Sequence, residues 1–162
     1  MLILSSAYLP PVEYLSAFLS ADYISIEQHE NFIKQTYRNR CVIPSANGLL
    51  SLSIPVTKNK KHNCPMNQIQ IDYKQPWQRT HWRAIETAYN TSPFFLYYRD
   101  YFEGFYVQKH TDNLMEYNLQ LFDLVLRLFK IKKQYVLTSE YVDVYGKEDM
   151  DLRQIIQPKT KT

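Results

Sequence analysis

The sequence predicts an α+β fold: a mixed sheet that includes an antiparallel hairpin, covered by helices from the C-terminal half, with a doubly wound α/β sheet as the alternative. Three observations predict it. Short β-prone runs crowd the first half of the 162 residues. From Pro76 onward the apolar period changes from about 2 to about 3.6. One helical pattern stands between the first two strand patterns, which suits a right-handed crossover between parallel neighbours. No internal repeat, low-complexity tract or linker divides the chain, so residues 1–162 are read as a single domain.

The elements follow in order. Leu2 to Ser6 is short and apolar and is stopped by Pro10-Pro11, where proline removes ladder donors. Val12, Leu15 and Leu19 then fall at helical spacing, with Pro11 in the first turn, where a missing N–H costs nothing. Tyr23 to Ile26 reads as a second strand, followed by a polar loop from Glu27 to Tyr37. Arg40–Pro44 and Leu49–Val56 flank Ser45-Ala46-Asn47-Gly48, and Asn-Gly between β-prone runs favours a hairpin because both residues tolerate positive φ. Leu50, Leu52 and Ile54 alternate with serines, so one face of the second arm is expected to be buried. Ile69 to Tyr73 offers another strand.

Trp77, His81, Ile85 and Tyr89 share one helical face. Ser92-Pro93 reads as an N-cap and first helical position for a helix that carries Phe94, Tyr98, Tyr101, Phe102 and Phe105. Thr111 or Asp112 would cap a third helix whose stripe holds Leu114, Tyr117, Leu121, Phe122, Val125 and Leu128. Gln134 to Thr138 closes the series as a strand.

Composition excludes several functions. Net charge is +3, from 19 basic and 16 acidic residues, too mild for a nucleic-acid binder. The basic cluster Lys58, Lys60, Lys61 and His62 reads as a solvated loop. Cys41 and Cys64 make neither a disulfide framework nor a metal pair, and His29, His62, His81 and His110 lack ligand spacing, so no metal or other cofactor is expected. Gly48, Gly104 and Gly146 lie too far apart for a phosphate-cradling turn. Met1 to Val12 lacks a leading positive charge and is a poor signal peptide, and no run of about 18 apolar residues spans a membrane. The expected compartment is the cytoplasm.

The 14 Tyr and 8 Phe suit either a thick core or a sugar-stacking cleft. The densest polar segment runs from Glu27 to Arg40, on a loop between a strand and a hairpin, where binding residues gather. Arg38 and Arg40 can grip phosphate or carboxylate through paired N–H groups, and Asn39 can donate and accept. With the segment extended, both arginines would share one face as an anion clamp and Asn39 would brace the loop; a turn at Asn39, which tolerates positive φ, would instead part the arginines and bring its amide into the site. Crowded together and buried, they would need an anion, or carboxylates such as Glu27 or Glu30, beside them. His29 is the candidate general base, because imidazole changes charge near neutral pH. His81 reads as a hydrogen-bonded core member, and Cys41 as a buried thiol.

These residues resemble the WbqC-like protein family. The resemblance rests on Tyr8-Leu9-Pro10-Pro11 with Tyr14, on Ile26-Glu27-Gln28-His29-Glu30-Asn31-Phe32, and on Lys34-Gln35-Thr36-Tyr37-Arg38-Asn39-Arg40. It continues through Gly48, Ser53-Ile54-Pro55-Val56, Trp77, His81-Trp82, Ala88-Tyr89 and Ser92-Pro93-Phe94-Phe95. Ser5-Ser6 stands where members usually carry Gln-Pro. Members also continue beyond the equivalent of Pro158-Lys159, so residues 1–162 read as a WbqC-like domain without that C-terminal extension. The family is associated with gene clusters for O-antigen and other surface polysaccharides. The resemblance therefore implies a role in polysaccharide biosynthesis, with a nucleotide-activated sugar or an acyl donor as partner. Any enzymatic activity it implies is that of a transferase moving an acyl or amino-acyl group onto an amino sugar. The alternative is a non-catalytic binding or assembly module. Gln28, Arg38, Asn39, Arg40 and Tyr8 would bind substrate, and His29 would take the proton from the attacking amine.

Overall fold

The computed structural model describes residues 1–57 and 63–158. The basic cluster at Lys58, Lys60, Lys61 and His62 lies outside the described residues. Strand β1 (Leu2–Ser5) is followed by helix α1 (Val12–Ser20) and strand β2 (Ile24–Glu27), which pairs parallel with β1 in the expected strand–helix–strand order. Leu2, Ile3 and Leu4 are buried together with every residue of β2, as befits strands covered on both faces. Strand β3 (Arg40–Ser45) and strand β4 (Gly48–Ser53) form the hairpin. Helices α2 (Trp77–Tyr89), α3 (Phe95–Val107) and α4 (Leu114–Leu128) follow, then strand β5 (Val136–Leu137) and strand β6 (Met150–Asp151).

The fold is α+β, and its parallel and antiparallel parts form two sheets. One is a four-stranded parallel sheet in the order β5-β2-β1-β6; the other is the β3-β4 hairpin. In the parallel sheet β5 and β6 take opposite edges, so the chain reverses its direction of travel across the sheet beside β1. Strand β6, only two residues long, carries too little pattern to be read from the sequence.

Four local expectations are corrected. At the hairpin corner Ala46 and Asn47 make the turn, and Gly48 alone takes positive φ, at 106°. Nothing lies within 4 Å of a Cβ built on Gly48, so backbone conformation and not space demands glycine there. Ile69 to Tyr73 forms no strand; it contributes the bridges Val56–Ile71 and Gln70–Asn113. Helix α4 is capped by Asn113, whose side chain accepts from the Glu116 N–H at 3.0 Å, while Thr111 bonds the Glu116 carboxylate. Helix α3 starts at Phe95, with the Ser92 carbonyl accepting from its N–H and no side-chain cap.

The core is aromatic where α1 meets α4. Phe18 and Tyr14 both contact Phe122 edge to face, at ring separations of 5.1 and 5.6 Å. A second aromatic layer joins Trp77, His81 and Tyr117 under the hairpin. Each such fully buried ring contributes on the order of 1.5–3 kcal/mol by leaving water. Helix α3 is the exception. Of its thirteen residues only Tyr106 is buried, and Leu96, Tyr97, Tyr98 and Tyr101 face outward. Among the described residues no helix is long and apolar enough to cross a membrane.

Candidate functional site: a polar sheet edge and an aromatic groove

In open parallel sheets ligands bind beyond the carboxyl ends of the strands, at the point where strand order reverses. Here those ends carry Ser5, Glu27, Thr138 and Arg153. Glu27 is fully buried. Its Oε1 accepts from the His29 N–H at 2.7 Å and from the Thr138 hydroxyl at 2.8 Å. Its Oε2 has no hydrogen-bond partner and faces Arg153 Nη1 at 3.5 Å. Gln28 donates its amide to the Thr138 carbonyl at 2.6 Å. His29 Nε2 lies 3.2 Å from the same carbonyl, and since a carbonyl only accepts, that nitrogen is the donor. In the neutral ring Nδ1 is then the acceptor, which is the tautomer a general base needs.

The expected anion clamp takes a different form. Thr36 to Asn39 is a turn, closed by the Asn39 and Arg40 N–H groups on the Thr36 carbonyl, so the two arginines do not share an extended face. The positive φ of this loop falls at Gln35 and not at Asn39. Arg38 is 2% exposed and already holds an anion. Its Nε and Nη2 donate to the two oxygens of Glu30 at 2.9 and 2.6 Å, and Nη2 also reaches Ser5 Oγ at 2.7 Å. A buried guanidinium requires such a carboxylate, and the loop supplies Glu30. Asn39 braces the hairpin through its amide to the Ile54 carbonyl at 3.0 Å, and Asn118 of α4 donates to the Arg38 carbonyl at 2.7 Å. Arg40 opens β3, half-buried, with Nε on Ser53 Oγ at 3.2 Å.

Arg153 closes this edge. It is 5% exposed, grips Asp151 through Nε at 2.9 Å and Nη2 at 2.6 Å, and lies over the rings of Tyr141 and Tyr145 at 5.4 and 5.0 Å. Its pKa is raised by the Asp151 hydrogen bonds, and that of Asp151 is lowered by the same contacts against the opposing effect of burial. The cavity left between Ser5, Arg38, Leu152 and Arg153 measures about 10 Å³, room for roughly one water. The protein's own ion pairs fill the place where a ligand would be expected.

Space lies on the other side of Tyr37, which borders both cavities. A groove of about 880 Å³ opens between the segment Leu9–Glu13, strand β3, helix α2 and helix α3. Its walls include Tyr37, Tyr89, Phe94, Phe95, Tyr98 and Phe102, and Phe94 and Tyr98 present 66% and 43% of their surface to solvent. Cys41 also borders it, but burial pushes this thiol up to about 12, so it is no thiolate at neutral pH.

In the core near this wall lies a polar relay that the sequence assigned in part. Tyr8, fully buried, shares its hydroxyl with His81 Nδ1 at 2.9 Å and with the Tyr106 hydroxyl at 2.8 Å. Burial lowers the His81 pKa to about 4, so the ring is neutral and serves as the hydrogen-bonded core histidine expected of it. Burial also raises the Tyr8 and Tyr106 hydroxyls well above the usual phenol range.

The structure brings Gln28 and His29 together at the sheet edge and sets Arg38 beside them in the chain but deeper, on Glu30. Tyr8 belongs to the core relay, Asn39 to the hairpin brace and Arg40 to the hairpin. None of these six lines the aromatic groove. The groove residues come from three separate stretches of sequence, and the one signal for them is the aromatic richness that suits a sugar-stacking cleft.

The chain is similar to an uncharacterized protein, Rv1507c, of Mycobacterium tuberculosis, at 24% identity over 147 residues covering 91% of this chain. It spans 63% of that relative's length. No solved structure matches it. The model of the WbqC-like protein family matches residues 5–161, nearly the whole described fold including the Glu27–Arg40 loop and both walls of the groove, and the chain belongs to that family.

Proposed function

We propose that this WbqC-like protein binds the sugar portion of an intermediate in surface-polysaccharide biosynthesis, of the O-antigen type, in the aromatic groove. The observation that carries the reading is the groove itself: about 880 Å³, within the usual range of ligand sites and lined by aromatic rings, of which Phe94 and Tyr98 are exposed. A ring face with its negative quadrupole attracts the polarised C–H face of a sugar, so a lining rich in aromatic rings suits a pyranose. The family's association with polysaccharide gene clusters supplies the pathway. Calorimetric titration against a panel of free sugars, nucleotide sugars and acyl-CoA species tests it. Binding of a sugar, weakened about tenfold by Tyr98→Ala, is the expected result. Indifference of the full chain to every sugar in the panel would sink it.

A second reading is favoured by His29, whose Nε2 is committed to the Thr138 carbonyl. In this reading the chain transfers an acyl or amino-acyl group to the amine of a sugar that reaches half-buried His29 at the sheet edge, outside the aromatic groove. The amine nitrogen attacks the donor carbonyl, the C–N bond forms as the bond to the donor's leaving group breaks, and His29 Nδ1 takes the amine proton and returns it to the leaving group. His29→Gln would then abolish transfer and leave sugar affinity intact. Unaltered behaviour of that variant, with a partner protein co-purifying, would favour the non-catalytic assembly module.

A further inference from the structure

Among the described residues that line the groove, Glu13 is the one with a formal charge. It stands exposed in the first turn of α1, where the helix dipole favours an acid, at the end of the Pro10-Pro11 segment that forms one wall. Tyr37, on the same wall, has its phenol pKa raised first by burial and then by the Glu13 carboxylate, so carboxylate and ring act on the same volume. The rings of Tyr89 and Tyr98 line the same groove. Among the described residues of this lining there is no lysine, arginine or histidine.

That distribution decides what charge the groove accepts. A phosphate entering it would meet a carboxylate and the negative faces of aromatic rings, with no cation among the described lining residues to receive it. A protonated amine would meet both attractions at once, the ion pair with Glu13 and the cation–π contact with a tyrosine face. We infer that the groove selects a ligand bearing a protonated primary amine, with Glu13 reading the ammonium and the tyrosine rings carrying the body of the ligand, while any phosphate group stays outside. This rests on the groove being the binding site proposed above and names the chemistry it recognises. An ammonium reaches the groove either on an amino sugar or on an amino-acyl group.

Isothermal titration with four probes tests it: glucosamine, N-acetylglucosamine, glucosamine 6-phosphate and glycinamide. Glucosamine is expected to bind about fivefold more tightly than N-acetylglucosamine, the size of an exposed ion pair with a cation–π contact. Glu13→Gln brings glucosamine down to the N-acetylglucosamine value, and added salt shrinks the preference in the wild type. Binding of glycinamide without glucosamine supports the same ammonium site with an amino-acyl source. Equal affinity for glucosamine and its N-acetyl form overturns the amine inference while the sugar-binding reading stands, and so does a preference that survives Glu13→Gln. Tighter binding of the 6-phosphate than of glucosamine overturns it as well. Silence from all four probes removes both readings.

Discussion

Replacing Arg38 by leucine isolates the physics that distinguishes a ligand clamp from a structural pair. Arg38 and Glu30 are 2% and 4% exposed, and two short hydrogen bonds of 2.9 and 2.6 Å join them side-on. Neither charge gains much from the pair in net terms, because each left water to form it. Removing one partner is different: Arg38→Leu strands the Glu30 carboxylate in the core and is expected to cost about 3–5 kcal/mol. The same change frees Ser5 Oγ and the Arg153 carbonyl of a donor, pushing the cost toward the upper end. A domain stable by roughly 5–15 kcal/mol would lose a large share of its margin. The double variant Arg38→Leu, Glu30→Leu has no stranded charge and is expected within about 1–2 kcal/mol of the wild type, so the two changes are strongly non-additive. Urea unfolding at pH 7 followed by circular dichroism reads all three proteins, with comparable m-values as the check that the unfolded states match. A single-variant cost below about 1 kcal/mol, or a double variant as weak as the sum of its parts, would refute the argument. The wild type should also gain no stability from inorganic phosphate through Arg38.

Three further outcomes follow from the site geometry. Tyr8→Phe removes the hydroxyl shared by His81 Nδ1 and Tyr106, and chemical denaturation should show a loss of about 1–3 kcal/mol, whereas a loss near zero would mean that the relay is not closed. His81 has its folded pKa lowered from 6.5 to about 4, so the unfolded chain binds the proton first; stability is full above about 6.5 and falls by about 3 kcal/mol as pH drops toward 4. Thermal unfolding across that window should show the slope, and a variant lacking His81 should lose that contribution. Native protein treated with a thiol reagent near pH 8 should label Cys64, half-buried, well before Cys41, and equal rates would contradict the burial of Cys41.

The helices and strands with strong patterns were legible in the chain itself. Trp77, His81 and Ile85 repeat at one helical turn and face inward as that spacing requires, and the stripe from Leu114 to Val125 is buried along α4. The hairpin was legible because turn chemistry is local, although Gly48 alone took the positive φ that Asn47 was expected to share. The polar loop was legible as a place and not as an arrangement. Whether Arg38 and Arg40 share a face depends on one turn at Thr36, and whether Arg38 is free depends on Glu30 folding back onto it.

The sequence by itself determined which segments bury apolar surface, because periodicity of 2 or 3.6 residues is a property of neighbours along the chain. It also determined the chain's family, through short clusters that lie within the chain's own loops and helices. Only the tertiary structure decided that β6 pairs with β1 and brings Arg153, held locally by Asp151, onto Glu27, closing the sheet edge where a ligand would otherwise sit. Only it decided that Leu9–Glu13, β3 and the aromatic rings of α2 and α3 converge on one groove. Both outcomes depend on contacts between residues tens of positions apart. A sheet register and a helix-to-strand packing fix such contacts, and neither leaves a periodic trace in the sequence.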